Sequence, residues 1–247
     1  MQIAITGVEE QLSVAAALSE QYQIPLVTAP HLEAVDILLV VNKDNVACHL
    51  EGFQQPLIVD FPTGKAKYQS ASLMQHPLVR AVGVKKADPP LTILDVTAGV
   101  GDDAYLLART GCNVTMIERN PVIYLLLQDA LKRLRVSSSS LTINLVFADA
   151  MNYLADIDSV DVIICDPMFP KFGKHAKVKK SMQFLQVIVG ENHDAGALFQ
   201  TILNKARKRI VVKRPKLAPP LANQIPDYSL KTKNYRFDVY LVFKSCG

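Results

Sequence analysis

The sequence predicts an α/β fold, in which a mostly parallel sheet closed by a terminal antiparallel hairpin follows a smaller α+β unit. Three observations support this prediction. From Leu91 onward, strand-like apolar runs alternate with helix-like segments, a pattern typical of parallel sheets with right-handed crossovers. Val160–Cys165 is apolar without polar alternation, as expected of a strand covered on both faces. The last two strand-like runs, 228–233 and 235–243, have only Asn234 between them and therefore predict a hairpin.

Length and composition indicate a globular chain that can hold one standard domain and a smaller one. The chain has 247 residues, of which 49% are hydrophobic and 20% charged. We expect a small α+β domain over residues 1–87 and the larger domain over residues 88–247, with Asp88-Pro89-Pro90 at the boundary. No apolar run approaches the roughly 20 residues of a membrane span. We therefore expect no membrane partner. The four cysteines form no CxxC pair, so we expect reduced thiols and a cytoplasmic protein.

The individual elements follow from local periodicity and turn residues. In the first unit we predict a helix near residues 10–22, a helix within 73–84, and strands at 1–8, 24–28, 36–41, 46–50 and 57–61. In the second unit we predict strands at 91–96, 113–118, 141–147, 160–165 and 209–213. The helices between them are predicted at 102–110, at 121–134 with a proline in the first turn, from 149 onward, and at 194–207.

Charge is divided unevenly along the chain. Residues 1–166 carry 11 Lys and Arg against 19 Asp and Glu, whereas residues 167–247 carry 16 against 4. The basic part begins directly after the sequence DPMFP (166–170), which is where a polyanionic substrate is expected to approach. A basic C-terminal third also fits a merely solvated surface, and charge by itself does not choose between the two.

The turn after the first strand of the second unit reads Asp95-Val-Thr-Ala-Gly99-Val-Gly101-Asp102-Asp103. Glycines here allow a tight bend and a close approach to a ligand at a helix N-terminus. The two carboxylates after Gly101 would repel a dinucleotide diphosphate and suit a cofactor with an amino group and a sulfonium. DxxxGxG is the pattern of S-adenosylmethionine (SAM)-dependent methyltransferases. Asp102 or Asp103 would also serve as a simple helix cap.

Acidic residues follow the next two strands as well. Glu118 is placed to accept hydrogen bonds from both hydroxyls of a ribose, a feature shared by nicotinamide and SAM sites. Arg119 beside it is expected to pack on the adenine or to pair with a carboxylate. Asp149 is placed to meet the adenine amino group, with the Ala150 N–H near a ring nitrogen, although Asp149 alone also fits an N-cap.

The sequence at 166–169, Asp-Pro-Met-Phe, resembles the [N/D]-P-P-[F/Y] motif of methyltransferases that modify exocyclic amines. The nitrogen of such an amine is a poor nucleophile because its lone pair is delocalised into the ring. The Asp166 carboxylate and the Pro167 carbonyl are predicted to hold its two hydrogens and to aim the lone pair at the methyl group. Phe169 is predicted to stack on the base, and Asp166 or solvent to accept the released proton.

Basic residues after this motif are predicted to contact RNA phosphates. The candidates are Lys171, Lys174, Lys177, Lys179, Lys180, Lys213 and Arg214. His175 and His193 lack the spacing of metal ligands relative to any cysteine or other histidine, so no metal is predicted.

Several longer stretches together resemble the ribosomal RNA small subunit methyltransferase J family. They are DVTAGVGDDAYLLARTGCNVTMIERNP, DPMFP followed by KVKKSMQFLQVIVG, RIVVKRPKLAPPLAN, YRFDVY, and LVRAVGVKK ahead of the larger domain. The resemblance covers nearly everything from about residue 60 onward and implies a Rossmann-like class I SAM-dependent methyltransferase sheet over residues 88–247.

What the resemblance implies about function is specific. It implies transfer of a methyl group from SAM to the exocyclic N2 of one guanine in the 3′-terminal region of 16S rRNA, with the rRNA or the 30S subunit as partner. Carried over by position, the cofactor contacts fall on Asp102, Asp103, Glu118, Arg119, Asp149, Ala150 and Asp166. Two alternatives stay open: amino-methylation of another RNA or DNA base or of a protein amide, and a non-catalytic RNA-binding module with a vestigial cofactor site.

Overall fold

The structure is a computed structural model that describes six stretches of the chain. They are residues 1–28, 35–61, 73–137, 140–167, 180–190 and 194–242, with the backbone alone for Ser137 and Lys180. Within these stretches, no helix is both long enough and apolar enough to cross a membrane.

Among its described residues, the N-terminal part contains a three-stranded sheet and one α-helix. It contains β1 (Ile3–Gly7), α1 (Leu12–Tyr22), β2 (Ile37–Val41) and β3 (Val46–Leu50). In the order β1-β2-β3, β1 runs parallel to β2, and β2 pairs with β3 as the predicted hairpin. The strands predicted at 24–28 and 57–61 reduce to single bridges, Leu26 to Ile5 and Leu57 to Cys48. Each bridge lies next to a proline, Pro25 or Pro56, which has no N–H to extend a ladder.

The remaining elements form a larger sheet with helices on both faces. Its strands are β4 (Thr92–Asp95), β5 (Asn113–Glu118), β6 (Ile143–Phe147), β7 (Val160–Cys165), β8 (Ala206–Pro215), β9 (Tyr228–Lys231) and β10 (Tyr235–Leu241). Its helices are α2 (Pro77–Val82), α3 (Asp102–Ala108), α4 (Pro121–Ser137), α5 (Ala150–Asp156), α6 (Lys180–Val189) and α7 (Ala195–Ile202).

The seven strands follow the order β6-β5-β4-β7-β8-β10-β9. The strands β4 to β8 are mutually parallel, and β10 runs antiparallel to both β8 and β9. The predicted parallel sheet with a terminal hairpin is thereby confirmed. From β4 the chain first moves outward to β5 and β6 and then returns to β7 beside β4. This reversal opens a crevice at the carboxyl ends of β4 and β7, where ligands of such sheets bind.

The helix predicted to continue to Arg207 ends earlier. Helix α7 stops at Ile202, and β8 begins at Ala206, which pairs with Val160 of β7. Lysine and arginine favour helices in isolation. Here the burial of Ile210 and its apolar neighbours between two strands decides the conformation.

Both faces of the larger sheet are covered, as the apolar run in β7 predicted. Val162 and Ile164 point into one apolar cluster, and Ile163 and Cys165 point into the cluster on the opposite face. The first cluster continues without interruption into the small N-terminal sheet. We therefore propose the division after residue 87 as one of chain topology, in which both parts share a core.

Candidate active site

A cavity of about 450 Å³ opens at the carboxyl ends of the parallel strands. It lies at the crevice between β4 and β7 that the strand order creates. The structure places eleven of the residues singled out from the sequence on its wall. They are Asp95, Gly99, Gly101, Asp102, Asp103, Glu118, Arg119, Asp149, Ala150, Asp166 and Lys213.

The glycine turn between β4 and α3 is held from two sides. At its start the Thr97 N–H donates to Asp95 Oδ1 at 3.0 Å. At its end Gly101 has a φ of +77°, and a Cβ there would lie 2.9 Å from the ring of Phe61. Phe61 in turn stacks on Tyr105 of α3 with ring centroids 5.2 Å apart. Glycine is therefore required at 101 both by its backbone angle and by the aromatic ring packed against it.

Asp95 is almost completely enclosed, with 3% of its surface exposed. Burial raises the pKa of its carboxyl to about 7, and the nearby carboxylates of Asp103 and Asp166 push in the same direction. The Thr97 N–H opposes this shift. Asp95 is thus a carboxyl group whose charge state changes near neutral pH at the base of the cavity.

Glu118 ends β5 with 8% of its surface exposed. Its Oε1 accepts from the Asn120 N–H at 2.8 Å, and the Gly99 N–H also donates to the carboxylate, which links the glycine turn to the end of β5. Burial raises the pKa of Glu118 to about 6, against the effect of these donors. At pH 7 and above the group is mainly a carboxylate in a fixed orientation on the cavity wall.

Arg119, the next residue, pairs with two carboxylates. Its Nη1 contacts Asp149 Oδ2 at 3.1 Å and also forms an ion pair with Asp194, the residue before α7. Asp149 caps α5, because its Oδ1 accepts from the Met151 N–H at 2.9 Å. Arg119 therefore joins the ends of β5, β6 and the α7 start along one side of the cavity.

Asp166 follows β7 and is tied to the two neighbouring strands. Its N–H donates to Thr97 Oγ1 at 2.6 Å, which connects it to the end of β4. Its Oδ2 lies 2.8 Å from Nζ of Lys213 on β8. Burial raises the pKa of Asp166, Lys213 lowers it, and Asp103 raises it. Asp166 is thus the point where the glycine turn, β7 and β8 meet.

Lys213 and Arg214, the two residues of β8 that were predicted to contact RNA, do not lie on an open surface. Lys213 is 27% exposed and bridges Asp103 and Asp166. Arg214 is 5% exposed and donates through Nε and Nη2 to the carbonyl of Pro219. Successive residues of a strand point to opposite faces, so only Lys213 reaches the cavity. The expected RNA contacts at these two positions are not supported by this placement.

Other predicted residues lie beyond the part of the chain that the structure describes. They are Phe169, Lys171, Lys174, Lys177, Lys179 and the side chain of Lys180. Pro167, the residue after Asp166, is among the described residues and is buried.

The cavity also has a wall that sequence reasoning missed. It contains His76 and Leu78, which lie around the start of α2, and Tyr235 and Phe237 of β10. The His76 Nδ1 accepts from the Leu78 N–H at 3.2 Å, and burial lowers the pKa of this imidazole. The sequence held a signal for the two aromatic residues. Because β10 runs antiparallel to β8, its first residues lie at the carboxyl edge of the sheet, where the cavity opens. His76 had no such signal, since it precedes the predicted domain boundary.

The chemistry of this cavity fits SAM. Its volume lies within the range of roughly 300–1,000 Å³ common for small-molecule sites. The carboxylates on the glycine turn, on β5 and before α5 would suit a cofactor with an amino group, hydroxyls and a positive sulfur, whereas they would repel a diphosphate. Among the described residues, no group of three or more His, Cys, Asp and Glu side chains could hold a metal ion.

Comparisons with known proteins agree with this chemistry. A family model described as putative SAM-dependent methyltransferase matches residues 18–242. The chain is 42% identical to the ribosomal RNA small subunit methyltransferase J of Coxiella burnetii, over 97% of each protein. It is 38% identical to the protein of that name from Nitrosococcus oceani, over 94% of this chain and 95% of the relative. The crystal structure of a SAM-dependent methyltransferase from Neisseria gonorrhoeae matches with a TM-score of 0.70 and 28% identity, covering 98% of this chain and 97% of that one.

The seven-stranded sheet, the acidic cavity and the family model define a SAM-dependent methyltransferase, and the predicted fold class, enzyme class and cofactor are confirmed. Within that class, the full-length matches at 36–42% identity show that the chain belongs to the ribosomal RNA small subunit methyltransferase J family.

Proposed function

We propose that this chain transfers the methyl group of SAM to the exocyclic N2 of one guanine in the 3′-terminal region of 16S rRNA. The observation that carries the proposal is the 42% identity, over 97% of each chain, to a protein named as a small subunit rRNA methyltransferase. The position of Asp166 beside the cavity supports an amine as the acceptor, because a carboxylate there can accept the hydrogens of an NH₂ group.

SAM supplies an electrophilic methyl group on a positively charged sulfur. The proposed contacts follow from the wall of the cavity. Glu118 accepts from the ribose hydroxyls, since its carboxylate is fixed at the end of β5. Asp102 and Asp103 in the first turn of α3 face the amino group. Asp149 and the Ala150 N–H at the start of α5 meet the adenine edge.

The acceptor amine is proposed to lie against Asp166 and the Pro167 carbonyl. Both hydrogens of the amine are then held, which turns its lone pair toward the methyl group for in-line transfer. As the new N–C bond forms and the S–C bond breaks, the nitrogen loses one proton to Asp166 or to water. Stacking by Phe169 on the base remains part of the proposal on the grounds of the motif alone. A guanine inside a duplex would have to be flipped out to reach this position.

Exposed lysines at the same edge of the sheet support an RNA partner. Lys216 follows β8, and its N–H donates to the Asn234 carbonyl at 3.3 Å, which joins it to the turn between β9 and β10. Lys231 is the last residue of β9, Lys233 lies on that turn, and the side chains of all three lysines are exposed. Tyr235 begins β10 and lines the cavity. Phosphates that approach the cavity from this side would meet these three cations.

The experiment that tests the function is methyl transfer from labelled SAM to 16S rRNA and to 30S particles from cells that lack the corresponding gene. We expect N2-methylguanosine at a single site. Another methylated base or a labelled protein would replace the proposed acceptor. No transfer to any substrate, with SAM binding intact, would favour the non-catalytic alternative. Since small subunits are assembled in the cytoplasm, this is also the proposed location.

The proposed RNA face has its own test. Replacing Lys216, Lys231 and Lys233 by alanine should weaken RNA binding and reduce the slope of log K against log salt by about 0.7–0.9 for each phosphate that is no longer neutralised. A matched control replaces three exposed lysines elsewhere, Lys43, Lys132 and Lys208. Equal slopes for the two triple variants would mean that this edge does not meet phosphates.

A further inference from the structure

We infer that Lys213 is a positioning residue for methyl transfer, whose ammonium group holds Asp103 and Asp166 together and keeps the Asp166 carboxylate in one orientation toward the acceptor amine. The inference rests on the proposed function, because it assigns Asp166 to the amine. It gives Lys213 a task that its position in a basic sequence run does not suggest.

The ammonium group lies at the meeting point of three elements. Nζ is 2.8 Å from Asp166 Oδ2, beyond β7, and 3.1 Å from Asp103 Oδ2, in the first turn of α3. On a further side, Nζ lies 5.5 Å from the centroid of the Tyr235 ring on β10. Carboxylates and a π-face both attract a cation, so the charge is confined to one place. A long lysine side chain that is held in this way does not search the surface for phosphates.

The charge balance of this part of the cavity depends on Lys213. Asp95, Asp103 and Asp166 approach it from β4, α3 and β7, and His76 faces it from the segment before α2. Among the described residues on the cavity wall, the Lys and Arg side chains are Lys213 and Arg119. Arg119 is engaged at the other end by Asp149 and Asp194. Lys213 is therefore the cation that compensates the carboxylates around the proposed acceptor site.

Loss of this cation would act on Asp166 in two ways. The carboxylates of Asp103 and Asp166 would repel each other, so Asp166 would turn away from its present direction. Burial and Asp103 both raise the pKa of Asp166 and Lys213 opposes them, so protonated Asp166 would persist to higher pH. A protonated carboxyl group has one acceptor fewer for the amine hydrogens. Turnover should fall while RNA binding stays.

The test compares Lys213→Met with Lys213→Arg and with Lys208→Met. Lys208 lies on the same strand but contacts Asp161 at the opposite edge, at 3.4 Å. Rates would be measured against pH at saturating SAM and RNA, together with the Kd of each. For Lys213→Met we expect kcat at pH 7 to fall at least about 10-fold. The acidic limb of the profile of kcat against pH should move to higher pH by at least about one pH unit. In Lys213→Arg the acidic limb should stay at the pH at which the parent enzyme has it. Lys208→Met should have the kcat and the pH profile of the parent enzyme.

Two outcomes would overturn the inference. One is a Lys213→Met enzyme with the parent pH profile. The other is a loss of RNA affinity at unchanged kcat, which would mean that Lys213 binds phosphates, as the sequence predicted. Asp103→Asn gives a second reading if Lys213→Met folds poorly, since removal of this carboxylate should move the acidic limb to lower pH.

A measurement without turnover separates this inference from the proposed function. Titration of the Asp166 carboxyl carbon by ¹³C NMR, assigned with Asp166→Asn, should show a higher midpoint in Lys213→Met than in the parent protein. Failure of the parent protein to methylate rRNA would remove the proposed function. An unshifted Asp166 titration would remove the role of Lys213, whatever the substrate proves to be.

Discussion

The two edges of the seven-stranded sheet carry similar residues in opposite roles. At the amino edge, Asp161 of β7 accepts from the Thr92 N–H at 3.0 Å and from the Thr92 hydroxyl at 3.1 Å. Arg207 and Lys208 of β8 lie 3.4 Å from its other oxygen. At the carboxyl edge of the same two strands, Asp166 and Lys213 form the corresponding pair, but they face a cavity and two further carboxylates.

The pKa directions show what the difference means. Burial opposes the ionisation of Asp161, yet the donors from Thr92 and the charge of Lys208 outweigh it, and the pKa of Asp161 is lowered. At the carboxyl edge, burial raises the pKa values of Asp95, Glu118 and Asp166. The amino edge thus has charges that stabilise the fold. The carboxyl edge retains carboxylates at a cost to the folded state, which is typical of a functional site.

The largest effect is expected from Asp166→Ala. Methyl transfer should fall by at least about 100-fold, because a group that holds the acceptor amine is removed. The melting temperature should stay close to that of the parent, and SAM binding should lose at most the one contact that the family resemblance implies for Asp166. Initial rates with labelled SAM, a binding isotherm and a thermal melt give the three readings. Near-normal turnover would exclude Asp166 from the mechanism.

The glycines at the two edges offer a matched pair. Gly101 has a φ of +77°, and a Cβ added there would lie 2.9 Å from Phe61. Gly111 has a φ of +91°, and a Cβ added there would have no atom within 4 Å. Both variants carry backbone strain of about 1–2 kcal/mol, and Gly101→Ala adds about 1–3 kcal/mol of overpacking. The free energy of unfolding, measured with denaturant, should therefore be lower for Gly101→Ala than for Gly111→Ala. SAM binding should be weaker in Gly101→Ala alone. Equal losses of stability would mean that Phe61 yields freely.

Asp161→Ala should affect stability and leave chemistry unchanged. It leaves the Thr92 donors without their acceptor, at a cost of about 1–3 kcal/mol. For a chain of this size, a destabilisation of about 2 kcal/mol lowers Tm by about 4–8 °C. Below the melting transition, kcat should equal that of the parent enzyme. A reduced kcat in the folded variant would contradict the division between the two edges.

The two edges should also differ in the pH dependence of their stability. The pKa of Asp95 is raised in the folded state to about 7 from 3.8, so its stabilising contribution is complete below about pH 4 and is lost as the pH rises through 7. The melting temperature of Asp95→Asn relative to the parent should therefore increase from pH 5 to pH 8. Asp161 has a lowered pKa, so the destabilisation by Asp161→Asn should be complete at pH 6 and shrink as the pH falls below 4. Parallel pH curves for the parent and Asp95→Asn would refute this assignment.

Much of the site was predictable because it depends on local pattern. The glycine turn follows β4 within a few residues, Glu118 ends the next strand, and Asp149 stands directly before a helix that it caps. The apolar run of β7 indicated a strand buried on both faces, and Asp166 follows it. In each case, strand end and side chain are neighbours in sequence, so the parallel sheet brings them to one edge without further information.

The sequence by itself determined the sheet, its carboxyl edge and the acidic set that suits SAM, because periodicity and turn residues act over short distances. Only the tertiary structure decided which charges meet. Cys165 pairs with Val212, so the following residues, Asp166 and Lys213, stand side by side, and Arg214 turns to the opposite face. Such contacts depend on strand order and register, which are set by burial across the whole core and not by any local run of residues.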